Sequence, residues 1–153
     1  MGMLRPSKKM LFAIEAVLDI AYHAGGEPVQ SREITRRQGI PRRYLEQTLQ
    51  QLVRAGVLTG VRGPRGGYRL ARERRRISVG EIVRVVRALE TVEDPYQDMP
   101  ASDLGKHVIR PMWGDLSEEI MAQLDAITVD ELCMRAYKGG IPSEAHQKLD
   151  FNI

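Results

Sequence analysis

Cysteine is almost missing from this 153-residue chain, where Cys133 stands alone. One thiol makes no internal disulfide and supplies no multi-cysteine metal site, and such scarcity fits a reducing, cytoplasmic setting. Also missing is any apolar run approaching the roughly 20 residues of a membrane span, so no membrane partner is expected. The opening stretch MGMLRPSKKMLFAIEAVLDIAYHAGG pairs a basic start with an apolar run, but Glu15 and Asp19 interrupt it, which argues against a secretion signal. Two large domains are excluded by length, since a chain of this size buries roughly 70% of its unfolded surface, enough for one core and an appended segment.

Catalytic constellations are missing as well. No nucleophile is paired with a base; Glu118 and Glu119 are adjacent and so diverge on a helix, and Asp125 and Asp130 have no evident partner. His23, His107 and His146 are too scattered for a ligand-spacing argument. The expectation is therefore no enzyme, no catalytic residues, no metal and no cofactor.

Charge is present and unevenly spread. The overall formal charge is +3, yet residues 1–90 carry 18 Lys and Arg against 8 Asp and Glu, a net of +10, while residues 91–153 carry 5 against 12, a net of −7. The first half suits a polyanion, although isolated basic clusters are usually no more than solvated surface.

Periodicity supplies the architecture. From Ser7 to Ala24 apolar residues recur at the three-to-four spacing of an amphipathic helix, which Gly25 and Gly26 stop. Ser31 is expected to cap a short second helix to about Gln38, with Glu33 in its first turn and Gly39 closing it. Pro41 opens a third, PRRYLEQTLQQLVRAG. This helix turns Tyr44 or Leu45, Thr48 or Leu49, and Leu52 or Val53 inward, and leaves Arg42, Arg43, Glu46, Gln47 and Gln50 outward. Two helices about a tight turn, the second basic and polar at its N-terminal end, form a helix-turn-helix. VLTGVRGPRGGYRLA then reads as a hairpin whose tip presents Arg62 and Arg65, a wing. Its glycines lack the spacing of a phosphate-binding loop.

Ser78 and Glu81 form a capping box for a fourth helix to about Leu89. Residues 91–106 read as a loop. Ile109, Met112 or Trp113, Leu116, Ile120, Leu124 and Ile127 then make an apolar stripe suited to the chain's own core or to a partner helix, with regular helix beginning near Arg110 because Pro111 fits a first turn. A second capping box, Thr128 and Glu131, opens a short helix closed by Gly139 and Gly140. Within it, Cys133 reads as a small buried hydrophobe. The fold class is mainly α with a small β wing: a winged helix-turn-helix domain over 1–90, a loop over 91–106, a long dimerisation helix and the short helix after it over 107–138, and a flexible tail over 139–153.

The segments REITRRQGIPRRYLEQTLQQLVRAGVLTGVRGPRGGYRLA and ISVGEIVRVV resemble the Rrf2 family of bacterial transcription regulators, and the likeness runs from about Leu4 to Cys133. It implies a homodimer on a palindromic double-stranded DNA operator, with Arg43 and Glu46 reading bases in the major groove and Arg62 entering the minor groove. The chemistry agrees, since Arg matches guanine O6/N7, Glu accepts from cytosine N4, and narrow minor grooves attract Arg. Lys8, Lys9, Tyr44 and Arg65 would contact phosphates, with core packing an equal alternative for Tyr44 and a salt bridge to Arg42 or Arg43 the alternative for Glu46. Ser31, Arg42 and Gln47 complete the DNA-binding set.

Cluster-binding members of the family carry three cysteines in the stretch matching 91–110, and this chain has none there. His107 stands where the last of those cysteines would be, and Arg110 where a histidine can be. The terminal Asp150, Phe151, Asn152 and Ile153 resemble the tail with which serine acetyltransferase enters cysteine synthase (O-acetylserine sulfhydrylase), a partner also implied by the cysteine-metabolism branch of the family. These four residues are the expected partner-binding site, in a regulator expected to repress. A protein-interaction adaptor on a winged-helix scaffold, or a regulator answering another effector, are the alternatives.

Overall fold

The computed structural model describes residues 5–90, 96–100 and 102–145. Six α-helices and one antiparallel hairpin follow in the order α1 (Lys8–His23), α2 (Ser31–Gln38), α3 (Arg42–Arg54), β1 (Leu58–Val61), β2 (Gly67–Leu70), α4 (Val79–Leu89), α5 (Arg110–Ala126) and α6 (Val129–Lys138). The architecture is mainly helical with a two-stranded wing, as expected.

Helix α1 starts where the Ser7 hydroxyl accepts from the Met10 N–H at 3.2 Å. It is the central column, packed against α2, α3, α4 and α6. Ala13, Ala16, Val17 and Ile20 on it are fully buried, and Ile34, Leu45, Leu49, Leu52 and Ile82 close over them. Each such Ile or Leu stabilises the fold by about 1.5–3 kcal/mol on burial. The inward face of α3 is thus Leu45, Leu49 and Leu52, and Tyr44 lies outside at 45% exposure.

Two caps depart from expectation. Gln30, not Ser31, is the N-cap of α2, because the Glu33 carboxylate accepts from the Gln30 N–H at 2.9 Å and draws the helix start one residue forward. Pro41 likewise precedes α3 as its N-cap. Gly39 ends α2 at φ +68, a left-handed conformation that glycine adopts without strain. The Ser78 and Thr128 hydroxyls cap α4 and α6 by accepting from Glu81 and Glu131 N–H. The expected return bonds are replaced, since Glu81 pairs with Arg72 and Glu131 with Arg135.

The hairpin pairs Leu58 with Leu70 through to Val61 with Gly67. Val29 adds one residue of a third strand, exchanging hydrogen bonds with Tyr68 at 2.9 and 2.8 Å. Gly67 is required there, since a Cβ would lie 2.4 Å from the Val29 carbonyl oxygen. A second bridge joins Ser78 to Thr128, with Val79 N–H donating to Ile127 and Val129 N–H to Ile77. It fixes the α5–α6 corner to the start of α4.

Helical backbone already begins at Asp103, inside the expected loop, after the Ser102 hydroxyl accepts from Gly105 N–H at 3.1 Å. It passes through a π-helical turn over Gly105–Ile109 before regular α5 starts at Arg110. Pro111 explains the turn, because a proline inside a helix offers no N–H and crowds the carbonyl four residues back, which a wider turn relieves. The apolar stripe divides. Met121, Leu124 and Ile127 pack on the core, whereas Ile109, Met112, Trp113 and Leu116 are 42–47% exposed. Of the segment expected as a flexible tail, residues 139–145 are described, and within them Ser143 is buried and its hydroxyl donates to the Tyr22 carbonyl at 2.7 Å. Asp150, Phe151, Asn152 and Ile153 lie outside the described residues.

Candidate nucleic-acid interface

Because α3 buries one leucine-lined face, its other face is left to solvent. Arg42, Arg43, Tyr44, Glu46 and Gln47 are all exposed. Arg42 Nε donates to Glu46 at 2.9 Å, an i,i+4 ion pair between exposed side chains. Such a pair adds only about 0.3–0.5 kcal/mol, so both partners can be drawn to other ligands at little cost. Among the described residues no ion pair engages Arg43, Arg62 or Arg65. Three guanidinium groups therefore face solvent with their donor forks open.

The remaining expected residues fall into two places. Lys8 and Lys9 lie in the first turn of α1, and Lys9 Nζ sits 6.0 Å from the Tyr44 ring centroid. This contact joins the start of α1 to α3 and leaves Tyr44 at the surface instead of the core. Ser31 is the first residue of α2 and borders an open cleft of 330 Å³ with Arg42, Pro64 and Tyr68. Arg62 and Arg65 occupy the exposed turn between β1 and β2. The Gln30 amide donates to the Pro64 carbonyl at 3.3 Å, so the wing tip is tied to the start of α2.

Two residues on this surface were missed in the sequence. Arg32 is exposed and borders both clefts beside the start of α2, and Gln30 links wing to helix. Arg32 had a readable signal, a cation beside Ser31 in the first helix of the pair. Gln30 had none, since its partner lies 34 residues away.

A helix with an open polar and basic face, set beside a basic hairpin, is the arrangement that reads a major groove while a wing follows the backbone. Known proteins agree with it. Residues 6–135 match the family described as Rrf2, iron-dependent transcriptional regulator. The chain belongs to the Rrf2 family. It is 37% identical over 133 residues to the HTH-type transcriptional regulator IscR of Vibrio cholerae, covering 86% of this chain and 76% of that one. Among solved structures, T. potens IscR superposes with a TM-score of 0.74 at 33% identity, covering 92% of this chain and 94% of the other. CymR, the global cysteine regulator of B. subtilis, does so with a TM-score of 0.66 at 27% identity, covering 87% and 98%. This Rrf2 protein is accordingly a DNA-binding transcription regulator and not an enzyme.

The iron dependence in the family's description is not matched by this member's donor set. His107 is exposed on the π-helical turn, and no cysteine occurs between residues 91 and 110. Among the described residues no three His, Cys, Asp or Glu side chains converge as a metal site. Cys133 is buried in α6, and burial pushes its thiol up, against the pull of Arg74. A thiol kept protonated in the core is a poor ligand and a poor nucleophile. No helix among the described residues is long and apolar enough to cross a membrane.

Proposed function

We propose that two copies of this chain bind a palindromic operator, each placing α3 in a major groove and its wing along the adjacent minor groove. The observation that carries this reading is the set Arg43, Arg62 and Arg65, exposed on α3 and the hairpin tip and without an ion pair among the described residues. Arg43 and Glu46 read bases; Arg62 enters the minor groove. Lys8, Lys9, Ser31, Tyr44 and Arg65 fix register on phosphates, with Arg42 and Gln47 completing the face. The dimer is supported by α5, whose N-terminal half exposes Ile109, Met112, Trp113 and Leu116 on a helix without a buried residue. A two-fold protein matches a two-fold site.

The test is an operator titration against salt. With about 6–10 phosphate contacts, affinity falls roughly 10³–10⁵-fold between ~50 and ~200 mM salt. Arg43→Ala relaxes preference at particular base pairs by about 1–3 kcal/mol, whereas Lys9→Ala weakens all sequences alike. A flat salt profile, or equal losses on operator and random DNA for Arg43→Ala, overturns the assignment.

A narrower reading concerns regulation. The likeness to B. subtilis CymR, named a global cysteine regulator, supports a repressor of cysteine metabolism that engages cysteine synthase through Asp150, Phe151, Asn152 and Ile153. Competition between a peptide of residues 146–153 and O-acetylserine for that enzyme tests it. Failure of both peptide and full chain to bind at tens of micromolar removes the partner and leaves DNA binding intact.

A further inference from the structure

Beyond α6 the chain returns to the helix-turn-helix. The Tyr22 hydroxyl donates to the Ile141 carbonyl, the Ser143 hydroxyl to the Tyr22 carbonyl at 2.7 Å, and Glu144 N–H to His23 Nδ1 at 3.1 Å. The Glu144 carboxylate then spans two arginines of α2, accepting from Arg36 and Arg37 at 2.8 Å each. Those two arginines are not equivalent. Arg37 is half-buried, its side chain 9% exposed, and forms a bidentate pair with the wholly buried Asp19 at 2.7 and 2.8 Å. Gln38 adds a third bond to Asp19 at 2.7 Å. Arg37 is thus fixed whether or not Glu144 is present. The Arg36 side chain is 64% exposed, and Glu144 is its one ion-pair partner among the described residues.

Placement gives Arg36 a use. It lies four residues after Arg32, so the two share one face of α2. Arg32 and the wing-tip Arg65 border a cleft of 210 Å³ that Arg37, Glu27, Glu33 and Glu144 also line. On α2 the exposed cation Arg32 is followed on the same face by Arg36, which is met by a carboxylate brought in from residue 144. In helix-turn-helix proteins this first helix crosses the phosphate backbone.

We propose that Arg36 is a reserve phosphate contact, masked by Glu144 in a latch formed by residues 141–145, and that opening the latch strengthens DNA binding. The inference rests on the DNA interface proposed above. DNA and the latch compete for one guanidinium, so by linkage each weakens the other. Opening the latch adds one neutralised phosphate and withdraws one negative charge from the cleft.

The experiment compares salt dependence of operator binding for the full chain and four variants. Glu144→Gln, which leaves the Asp19–Arg37 pair in place, steepens the log–log slope by about 0.9 and gains roughly threefold to fourfold in affinity over a fourfold drop in salt. Ser143→Ala, which loosens the latch without a change of charge, moves the slope the same way. Arg36→Gln alone leaves the wild-type slope unchanged, and added to Glu144→Gln it abolishes the gain. Amide exchange at residues 144 and 145 is also faster in Glu144→Gln than in the wild-type protein.

An unchanged or shallower slope in Glu144→Gln overturns the latch, as does a loss of slope in Arg36→Gln alone or exchange at residues 144 and 145 that is no faster in Glu144→Gln. A wild-type protein whose binding ignores salt fails the DNA interface itself, an outcome distinct from a steep wild type with unresponsive variants.

Discussion

Helices α1 and α5 are nearly equal in length, 16 and 17 residues, yet opposite in use. α1 buries Met10, Ala13, Ala16, Val17, Asp19 and Ile20, while α5 buries nothing fully. The difference shows how a small chain separates folding from assembly. One helix is surrounded by four others and makes the core; the other packs on the core through its C-terminal half, beside α4, and carries its apolar N-terminal half outward. Arg84 on α4 reinforces that docking by pairing with Asp125 through both guanidinium nitrogens, a contact that holds the Asp125 carboxyl below its usual range.

The sharpest way to break the contrast is to remove volume from each helix. Ile20→Ala, at a fully buried position of α1, is expected to cost about 2–5 kcal/mol in urea unfolding. Leu116→Ala, on the open face of α5, costs the isolated subunit no more than about 0.5 kcal/mol, read at dilutions where assembly is absent. Equal losses would mean that α5 belongs to the core of its own subunit. The second test acts on assembly: Met112→Asp with Trp113→Asp places two charges in the exposed stripe and shifts micromolar sedimentation from dimer to monomer. Helical content is retained, because neither side chain supports the fold. A dimer that survives both charges would place the interface elsewhere.

The contrast between α1 and α5 was only half legible from sequence. Spacing marked both as amphipathic, but a period of 3.6 does not say whether an apolar stripe meets its own core or a neighbour. The ambiguity between Tyr44 and Leu45 had the same origin, since adjacent residues satisfy the pattern equally until Leu45, Leu49 and Leu52 are seen on one side. Helix starts at Ser78 and Thr128 were readable because a hydroxyl three residues before an N–H is a local matter. The carboxylate of Glu81 went to Arg72, nine residues back, and that of Glu144 to Arg36 and Arg37, more than a hundred residues back, choices for which no local helix pattern exists. In the interface, exposure of Arg43, Arg62 and Arg65 followed from the periodicity of α3 and the hairpin turn, while the tie from Gln30 to Pro64 required the folded chain.

The smallest expected effect probes the join between α1 and the chain beyond α6, and it is read through pH. The His23 side chain is 8% exposed and accepts the Glu144 N–H on Nδ1. Burial lowers its pKa below 6.5, and Arg37 adds to the lowering. Asp19, 3.9 Å from Nε2 on the same helix, and Glu144 oppose the shift, and Arg36 on α2 supports it, with burial prevailing. A histidine whose pKa is depressed on folding binds its proton more readily when unfolded. Its contribution is then complete above the unfolded value of about 6.5 and is lost as pH falls through the lower, folded value. Glu144 acts in the same direction at lower pH: burial pushes its carboxyl up, but the hydrogen bond from Arg36 and the charge of Arg37 hold it below 4.5. Urea midpoints are therefore expected to be level above about pH 7.5, to fall first below 6.5 and to fall again below 4.5. His23→Gln removes the first step and leaves the second, whereas Glu144→Gln reduces the second. A first step that persists in His23→Gln would assign it to another group and detach His23 from the segment that returns to it.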